Sequence, residues 1–301
     1  MKIFRNISLL LLVACMPLLL TSQTYSEKRE ESKTYRLKPG TLVQVSNKYG
    51  NVNIMNWEKD SVRFEVSISV QSKQPSKLNK ILTSIDCEMV STASVISART
   101  VFHDNSATFW KDVVSYAGKV VNTSNNLQIH YTVYLPEANP VKIENKFGNI
   151  YLDNRKGKTD IILSNGDLQA RDFTGYLKLN LEFGSGSIQE AGEAQININY
   201  SDLYLQKVNK LNLISRSSTL ELDEAATIEM ESVRDKMTIK SCASLSGDVS
   251  FSRIRVNELK TVCSLTTKYG ELKINGIPKE FINVFIKSEY TDVLLGISPM
   301  A

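Results

Sequence analysis

Apolar residues recur at a fixed interval in the second half of this chain. Two series have a spacing of 17 residues and lie eight residues apart. The first series is Leu203, Leu220, Met237 and Ile254, with Leu272 one residue late; the second is Leu211, Ile228, Leu245 and Val262. A repeat of this length cannot bury its apolar face alone, so neighbouring repeats must stack. We therefore predict an all-β fold, a parallel β-helix or β-solenoid with about 17–20 residues per coil.

Each predicted coil begins at a small or polar corner and continues into a short strand. The runs 147–152, 165–170, 200–205, 269–274 and 290–295 all follow this plan. Because side chains alternate across a strand, the apolar residues face inward and the outward positions are mostly polar. We expect the corner glycines to supply the backbone angles that turn the chain. These glycines are Gly148, Gly166, Gly184 and Gly270.

The chain before the repeats is predicted to have three parts. Residues 1–23 read as a signal peptide, 24–34 as a flexible, charged lead-in, and 35–140 as an irregular β-rich cap with one short helix. The helix is predicted after Pro75, where apolar residues have helical spacing up to Ile85. Residues 141–301 form the predicted solenoid, and its C-terminal end looks incomplete or covered by a partner, since solenoids need capped ends. The run 47–54 copies 145–152, so the strand after Tyr49 is predicted to be the first coil, with 56–135 covering it.

The first residues predict export. Lys2 and Arg5 precede an apolar run at 7–20, and the polar residues 21–23 close it. The run is shorter than the ~20 residues that a spanning helix needs. An alternative is a lipid anchor at Cys15, because residues 12–15 resemble a lipobox. We expect no transmembrane segment in the mature chain and a location in the periplasm, at the outer membrane or on the cell surface.

The net charge, the cysteines and the histidines limit the partners and cofactors that we expect. Lys and Arg number 36 against 32 Asp and Glu, a net charge of +4. Because this balance is close to neutral, we do not predict a nucleic-acid partner. Cys87, Cys242 and Cys263 would remain after export, and the 21-residue spacing of the last two does not match the coil. Buried free thiols are therefore expected, with a Cys242–Cys263 bridge as the alternative. Neither His103 nor His130 has other metal-ligating residues near it at the spacing of a metal site, so no metal or other cofactor is predicted.

No catalytic constellation is visible in the sequence. The recurring corner acids Asp167, Asp202 and Asp292 are explained by turn chemistry, and neither histidine lies near a nucleophile motif. Four aromatic residues are candidates for a contact surface: Trp110, Tyr116, Tyr151 and Tyr204. The corner aromatics either stack on one another along the solenoid or grip a partner. They are Tyr49, Phe147, Phe183, Tyr200, Tyr269 and Tyr290.

The leader, the run 47–54 with Trp57, and its copy at 145–152 resemble a family of exported β-solenoid proteins of Gram-negative envelopes. That family is known by the names putative adhesin and domain of unknown function, and the likeness covers about residues 35–295. The resemblance implies a β-solenoid fold; it is not specific for function, because that family has no agreed activity. Family members usually continue further, which agrees with an incomplete C-terminal end.

Three function classes remain at this point. The first is a non-enzymatic exported solenoid, adhesin-like or structural, that binds an unidentified protein or glycan. The second is a periplasmic part of envelope sensing that binds a membrane-bound partner. The third is a glycan-processing enzyme, which would need two or more acids converging in one groove.

Overall fold

The computed structural model describes residues 25–72, 75–103 and 127–297. The leader with Cys15 and the segment that carries Trp110 and Tyr116 lie outside the described residues. Eighteen strands and one short helix are present in the described chain, and the strands form a β-solenoid of about nine turns. The predicted fold class is therefore confirmed. Within the described residues, no helix combines the length and the apolar character that crossing a bilayer requires.

Two kinds of coil make up the solenoid, and all their strands pair in parallel with the next coil. Early coils contain two short strands separated at the corner. These are β2 (Leu42–Lys48) with β3 (Val52–Asn56), β8 (Val141–Lys146) with β9 (Ile150–Leu152), β10 (Thr159–Ser164) with β11 (Asp167–Phe173), and β12 (Leu177–Glu182). The later strands are long and bent. These are β13 (Ser185–Asn199), β14 (Asp202–Arg216), β15 (Thr219–Val233), β16 (Lys236–Ser250), β17 (Arg253–Ile277) and β18 (Asn283–Ile297). One of them, β17, spans more than a whole coil.

The strand register confirms the first apolar series. Leu203 lies opposite Leu220, then Met237, then Ile254, and all four are at most 3% exposed. Parallel strands stand ~4.8 Å apart, so equivalent side chains form continuous apolar columns in the core.

The second apolar series is confirmed as far as Leu245, and its last member is wrong. Leu245 lies opposite Cys263 rather than Val262, because the register shifts between Cys242 and Ser244. One extra residue therefore lies on β17 between Leu259 and Val262, so the later inward positions of β17 come one residue after those that the 17-residue period predicts.

The cap continues both walls of the first coil. Strand β6 (Val95–Phe102) pairs in parallel with β2, and β7 (Leu127–Leu135) pairs in parallel with β3. Antiparallel partners then follow, β5 (Ile85–Ser91) beside β6 and β4 (Ser61–Ser72) beside β7. The helix α1 (Pro75–Thr83) packs here as predicted. Strands β3 and β9 are also paired, so the prediction that the coil after Tyr49 is the first is confirmed.

The expectation of a flexible lead-in at 24–34 is wrong. Strand β1 (Tyr25–Arg36) pairs antiparallel with β4 along its whole length. The Arg29 guanidinium donates to the carbonyl of Leu82 at 3.1 Å, and the Tyr35 hydroxyl donates to the carbonyl of Met89 at 3.0 Å. The backbone hydrogen bonds of the β1–β4 ladder hold the segment, although its composition alone predicts a solvated chain.

The corner glycines do not have the predicted backbone angles. The residue before each of them is in the left-handed region instead, as with Phe183 at φ 53° and Tyr269 at φ 52°. A Cβ at Gly184 would lie 2.0 Å from the carbonyl oxygen of Gly166 on the preceding coil. These glycines are therefore required by the close approach of consecutive coils. The same holds at Gly148, Gly166 and Gly270.

Candidate contact face

One outward-facing row of side chains crosses the first half of the solenoid, and we call it the outer column. Its members are neighbours in register on β3, β9, β11, β13 and β14. They are Asn53, Tyr151, Gln169, Ser187 and Tyr204. Each residue is flanked on its strand by inward-facing residues, so strand alternation points it outward. The structure thus places the two predicted contact residues Tyr151 and Tyr204 on one wall, three coil spacings or ~14 Å apart.

A concavity of about 520 Å³ lies over the N-terminal part of this column. Its wall contains Tyr151, Gln169 and Ser187, together with outward residues two positions further along their strands. Those further residues are Met55, Asp153, Arg171 and Gln189. Tyr204 is in the same column but does not line the concavity.

Some polar groups in the wall of the concavity are held by hydrogen bonds within the chain, and others are exposed to a ligand. The Tyr151 hydroxyl accepts a hydrogen bond from the Asn149 side-chain amide at 3.1 Å. Gln169, Arg171 and Gln189 are exposed, and no side-chain hydrogen bond or ion pair involves them in the described part of the chain. The concavity therefore presents amide and guanidinium groups beside an oriented aromatic ring.

Tyr204 belongs to a separate exposed network. Its hydroxyl donates to Asp223 Oδ2 at 3.0 Å, and Lys240 Nζ lies 2.8 Å from Asp223 Oδ1. The hydrogen bond from Lys240 lowers the pKa of Asp223, and the hydrogen bond to Asp223 raises the pKa of Tyr204. Tyr204 is 38% exposed, so its ring is accessible while its hydroxyl is already paired.

The corner aromatics stack along the solenoid, as the first of the two interpretations predicts. Phe183 and Tyr200 have ring centroids 5.3 Å apart and planes at 3°. Phe251, which the sequence analysis missed, lies 5.0 Å from Tyr269, and Tyr269 lies 5.2 Å from Tyr290. Tyr49 and Phe147 form a further stacked pair at 5.4 Å. Each short stack leaves one face of its end rings open, so Phe183, Tyr200 and Tyr290 remain 57%, 59% and 77% exposed.

The cysteines and histidines have structural partners. Cys242 lies opposite Leu259 and Cys263 opposite Leu245, so the two cysteines occupy different columns, as their spacing predicts. Both are buried free thiols, and burial raises the pKa of Cys242 to about 12 and that of Cys263 to about 11. His103 Nε2 lies 2.8 Å from Asp86, and His130 Nδ1 accepts the Asn51 backbone N–H at 3.1 Å. Among the described residues, no group of three or more His, Cys, Asp and Glu side chains could hold a metal ion.

Comparison with known proteins gives likenesses among solved structures alone. No family model matches the chain, and no curated protein matches it. The chain is similar to solved putative adhesins. A putative adhesin from Parabacteroides distasonis is 10% identical, with a TM-score of 0.47 over 89% of this chain and 97% of that chain. A putative adhesin from Parabacteroides merdae is 7% identical, with a TM-score of 0.43 over 90% and 97%.

A third solved structure has a different description. It is a putative lipid binding protein from Parabacteroides distasonis, 10% identical, with a TM-score of 0.29 over 90% of this chain and 97% of that chain. At such identities and TM-scores, none of the three assigns a ligand or a role to this chain.

Proposed function

We propose that this chain is a non-enzymatic, exported, adhesin-like binding protein and that the concavity on the outer column is its contact site. The observation that carries the proposal is the set of exposed polar groups beside Tyr151 on a rigid β-wall. Gln169, Arg171 and Gln189 reach the concavity without partners of their own in the described chain. Such groups form hydrogen bonds to a ligand at little cost in reorganisation.

A glycan is the ligand chemistry that fits this wall best. Planar amides and a guanidinium group pair with sugar hydroxyls, and an oriented tyrosine ring packs against the apolar face of a sugar. The outer column runs along the solenoid axis with one residue every ~4.8 Å. A linear chain of sugars lying along that axis would meet Tyr151, Gln169 and Ser187 in succession.

The carboxylates support binding rather than cleavage. Asp153 is the one carboxylate among the residues that line the concavity, and its Oδ2 accepts the Asn56 backbone N–H at 3.2 Å. Glycoside hydrolysis generally uses two carboxylates about 5–10 Å apart across the scissile bond.

The binding site is tested on an array of bacterial and host glycans. We expect Gln169→Ala and Tyr151→Ala to weaken retention at least tenfold, because each removes a ligand contact from the concavity. Thr238→Ala is the matched control, since Thr238 faces outward in register with the outer column but three strands beyond Ser187. Equal retention of all three variants would contradict the assigned site, and turnover of a bound glycan by the unmodified protein would contradict the non-enzyme assignment.

Export is tested separately by fractionation of cells and by protease treatment of intact cells. The leader at 1–23 supports recovery in the envelope or medium with loss of the leader. Loss of the protein on protease treatment would assign it to the surface, and protection would assign it to the periplasm. Recovery in the cytoplasm with an intact N-terminus would contradict export.

A further inference from the structure

The last strand that the structure describes, β18, has an exposed apolar edge. Strand β18 pairs with β17 on one side, and within the described residues no strand covers its other side. Its inward positions continue core columns, since Val284 lies opposite Cys263, Val293 opposite Leu272, and Leu295 opposite Ile274. The partners on β17 are at most 1% exposed, whereas Val293 and Leu295 are 37% and 41% exposed.

The backbone of this edge has a defined hydrogen-bonding direction. Val141, in the column that contains Val284, donates its N–H to the carbonyl of Lys158 on the following coil. Val52, in the column that contains Val293, donates in the same direction to Asn149. Val284 and Val293 therefore point their N–H and C=O groups away from β17, and alternation extends this to Ile286 and Leu295.

The corner at 289–290 divides β18 into two arms, which we call arm A (283–288) and arm B (291–297). A two-fold axis through this corner brings arm A of one copy onto arm B of another in antiparallel orientation. Residues whose numbers add to 579 then lie opposite each other. The resulting pairs are Val284 with Leu295, Ile286 with Val293, Phe285 with Leu294, and Lys287 with Asp292.

This register satisfies two requirements of strand pairing. Val284 and Leu295 both point their backbone groups at the partner, as do Ile286 and Val293, so each forms a hydrogen-bonded antiparallel pair. Inward residues meet inward residues, so the two cores join without a change of face.

The charges of Lys287 and Asp292 distinguish the 579 register from the registers shifted by two residues, which also pair inward residues with inward residues. Lys287 meets Asp292 in the 579 register, and the symmetry provides this pair twice. A shift of two residues would place Lys287 opposite Leu294 or Tyr290 instead. Neither Lys287 nor Asp292 has a salt-bridge partner within the described chain, whereas the neighbouring Glu289 is paired with Lys268 at 3.0 Å.

We propose that the β18 edge binds a second copy of this chain, giving a two-fold, end-to-end dimer. An open edge of this length is otherwise a site of uncontrolled strand addition. Pairing closes both solenoids at once and sets Phe285 of one copy beside Leu294 of the other, so that each covers part of a side chain that is 59% or 57% exposed in the single chain. The contact faces of the two copies then lie on one continuous rod.

Sedimentation equilibrium of the purified chain tests this pairing. We expect a dimer at tens of micromolar, with Lys287→Asp or Asp292→Lys raising its dissociation constant at least tenfold, because each puts like charges opposite each other twice. The double variant, with both substitutions, exchanges the charges and restores dimerisation. The matched control is Lys207→Asp on β14, whose ammonium lies 3.9 Å from Glu190 in mid-solenoid, and it leaves dimerisation unchanged.

The charge exchange also makes the test independent of folding, since a variant that merely misfolds is not rescued by a second substitution. Far-ultraviolet circular dichroism confirms that each variant keeps its strand content. A monomeric unmodified chain at 100 μM would overturn the proposal, as would a dimer that none of the β18 substitutions affects. A double variant no stronger than the single variants would overturn the 579 register.

Discussion

At the scale of single residues, a ladder of side-chain oxygens supports the corners of the middle coils. Ser201 Oγ accepts the Gly184 backbone N–H, Ser218 Oγ accepts that of Ser201, and Asp235 Oδ1 accepts that of Ser218 at 2.8 Å. Ser252 Oγ continues the ladder by accepting the N–H of Asp235 at 3.0 Å. Asp235 is thus a carboxylate, only 4% exposed, at a place where three neighbouring coils use serine.

Two substitutions of Asp235 distinguish the stability gained from its accepted hydrogen bond from the stability lost by burying its charge. We expect Asp235→Ala to lower the free energy of unfolding by about 1–3 kcal/mol, because the buried Ser218 N–H loses its partner. Asp235→Ser keeps an acceptor there. Burial raises the pKa of Asp235, so the folded state binds this proton more tightly than the unfolded state.

The pH dependence follows from that sign. The unmodified chain should lose stability relative to Asp235→Ser as the pH rises through the ordinary aspartate pKa, about 3.9, towards the raised folded value. Above that value the difference stays constant. Urea midpoints of both proteins between pH 3 and 8 measure it, and parallel profiles would contradict the role given to burial.

Residue-level prediction failed where two conformational effects compete. Tyr200 and Phe251 adopt φ values of 49° and 55°, although bulky side chains there are unusual. Stacking between coils offsets part of the cost of the left-handed conformation. The glycine after Phe183 is needed for the spacing to Gly166, and this requirement depends on the three-dimensional stack rather than on local turn rules.

At the scale of one coil, the approach of neighbouring backbones limits the residues at the corner. Gly184→Ala would place its Cβ 2.0 Å from the Gly166 carbonyl oxygen, whereas Gly192→Ala would meet nothing nearer than 3.5 Å. We expect Gly184→Ala to cost about 3 kcal/mol or more, since backbone must move, and Gly192→Ala to cost less than about 0.5 kcal/mol. Chemical denaturation of both variants checks this, and equal losses would contradict the proposed reason for glycine.

Elements were predictable where the signal is local and repeated. The alternation in β14 and the helical spacing in α1 are readable from the residues alone. Strand β1 was not predictable, because its order depends on pairing with β4, from Arg36 with Ser61 to Tyr25 with Ser72. The late arrival of Leu272 indicates an extra residue in this coil, but its place between Leu259 and Val262 is given only by the register with β16.

For the whole molecule, the 17-residue period gave the architecture because stacked coils repeat one burial pattern. The candidate site was predictable only in part: Tyr151 and Tyr204 could be placed outward by alternation, but the concavity around Gln169 depends on the side chains of neighbouring coils. The same stacking makes stability depend on position along the axis, since each coil contacts only its neighbours.

Two leucines in one column test that dependence. Leu205 is fully buried in the middle of the solenoid, and Leu295 is 41% exposed on β18. We expect Leu205→Ala to cost about 2–5 kcal/mol and to speed amide hydrogen exchange over several coils.

In dilute protein, Leu295→Ala should cost less than about 1 kcal/mol and affect β18 alone, because few contacts are lost. At high concentration its cost should grow, since the dimer buries this side chain against Val284 of the partner. Hydrogen exchange measured at two protein concentrations decides the matter, and an equal, concentration-independent loss at both sites would contradict both the position dependence and the covered edge.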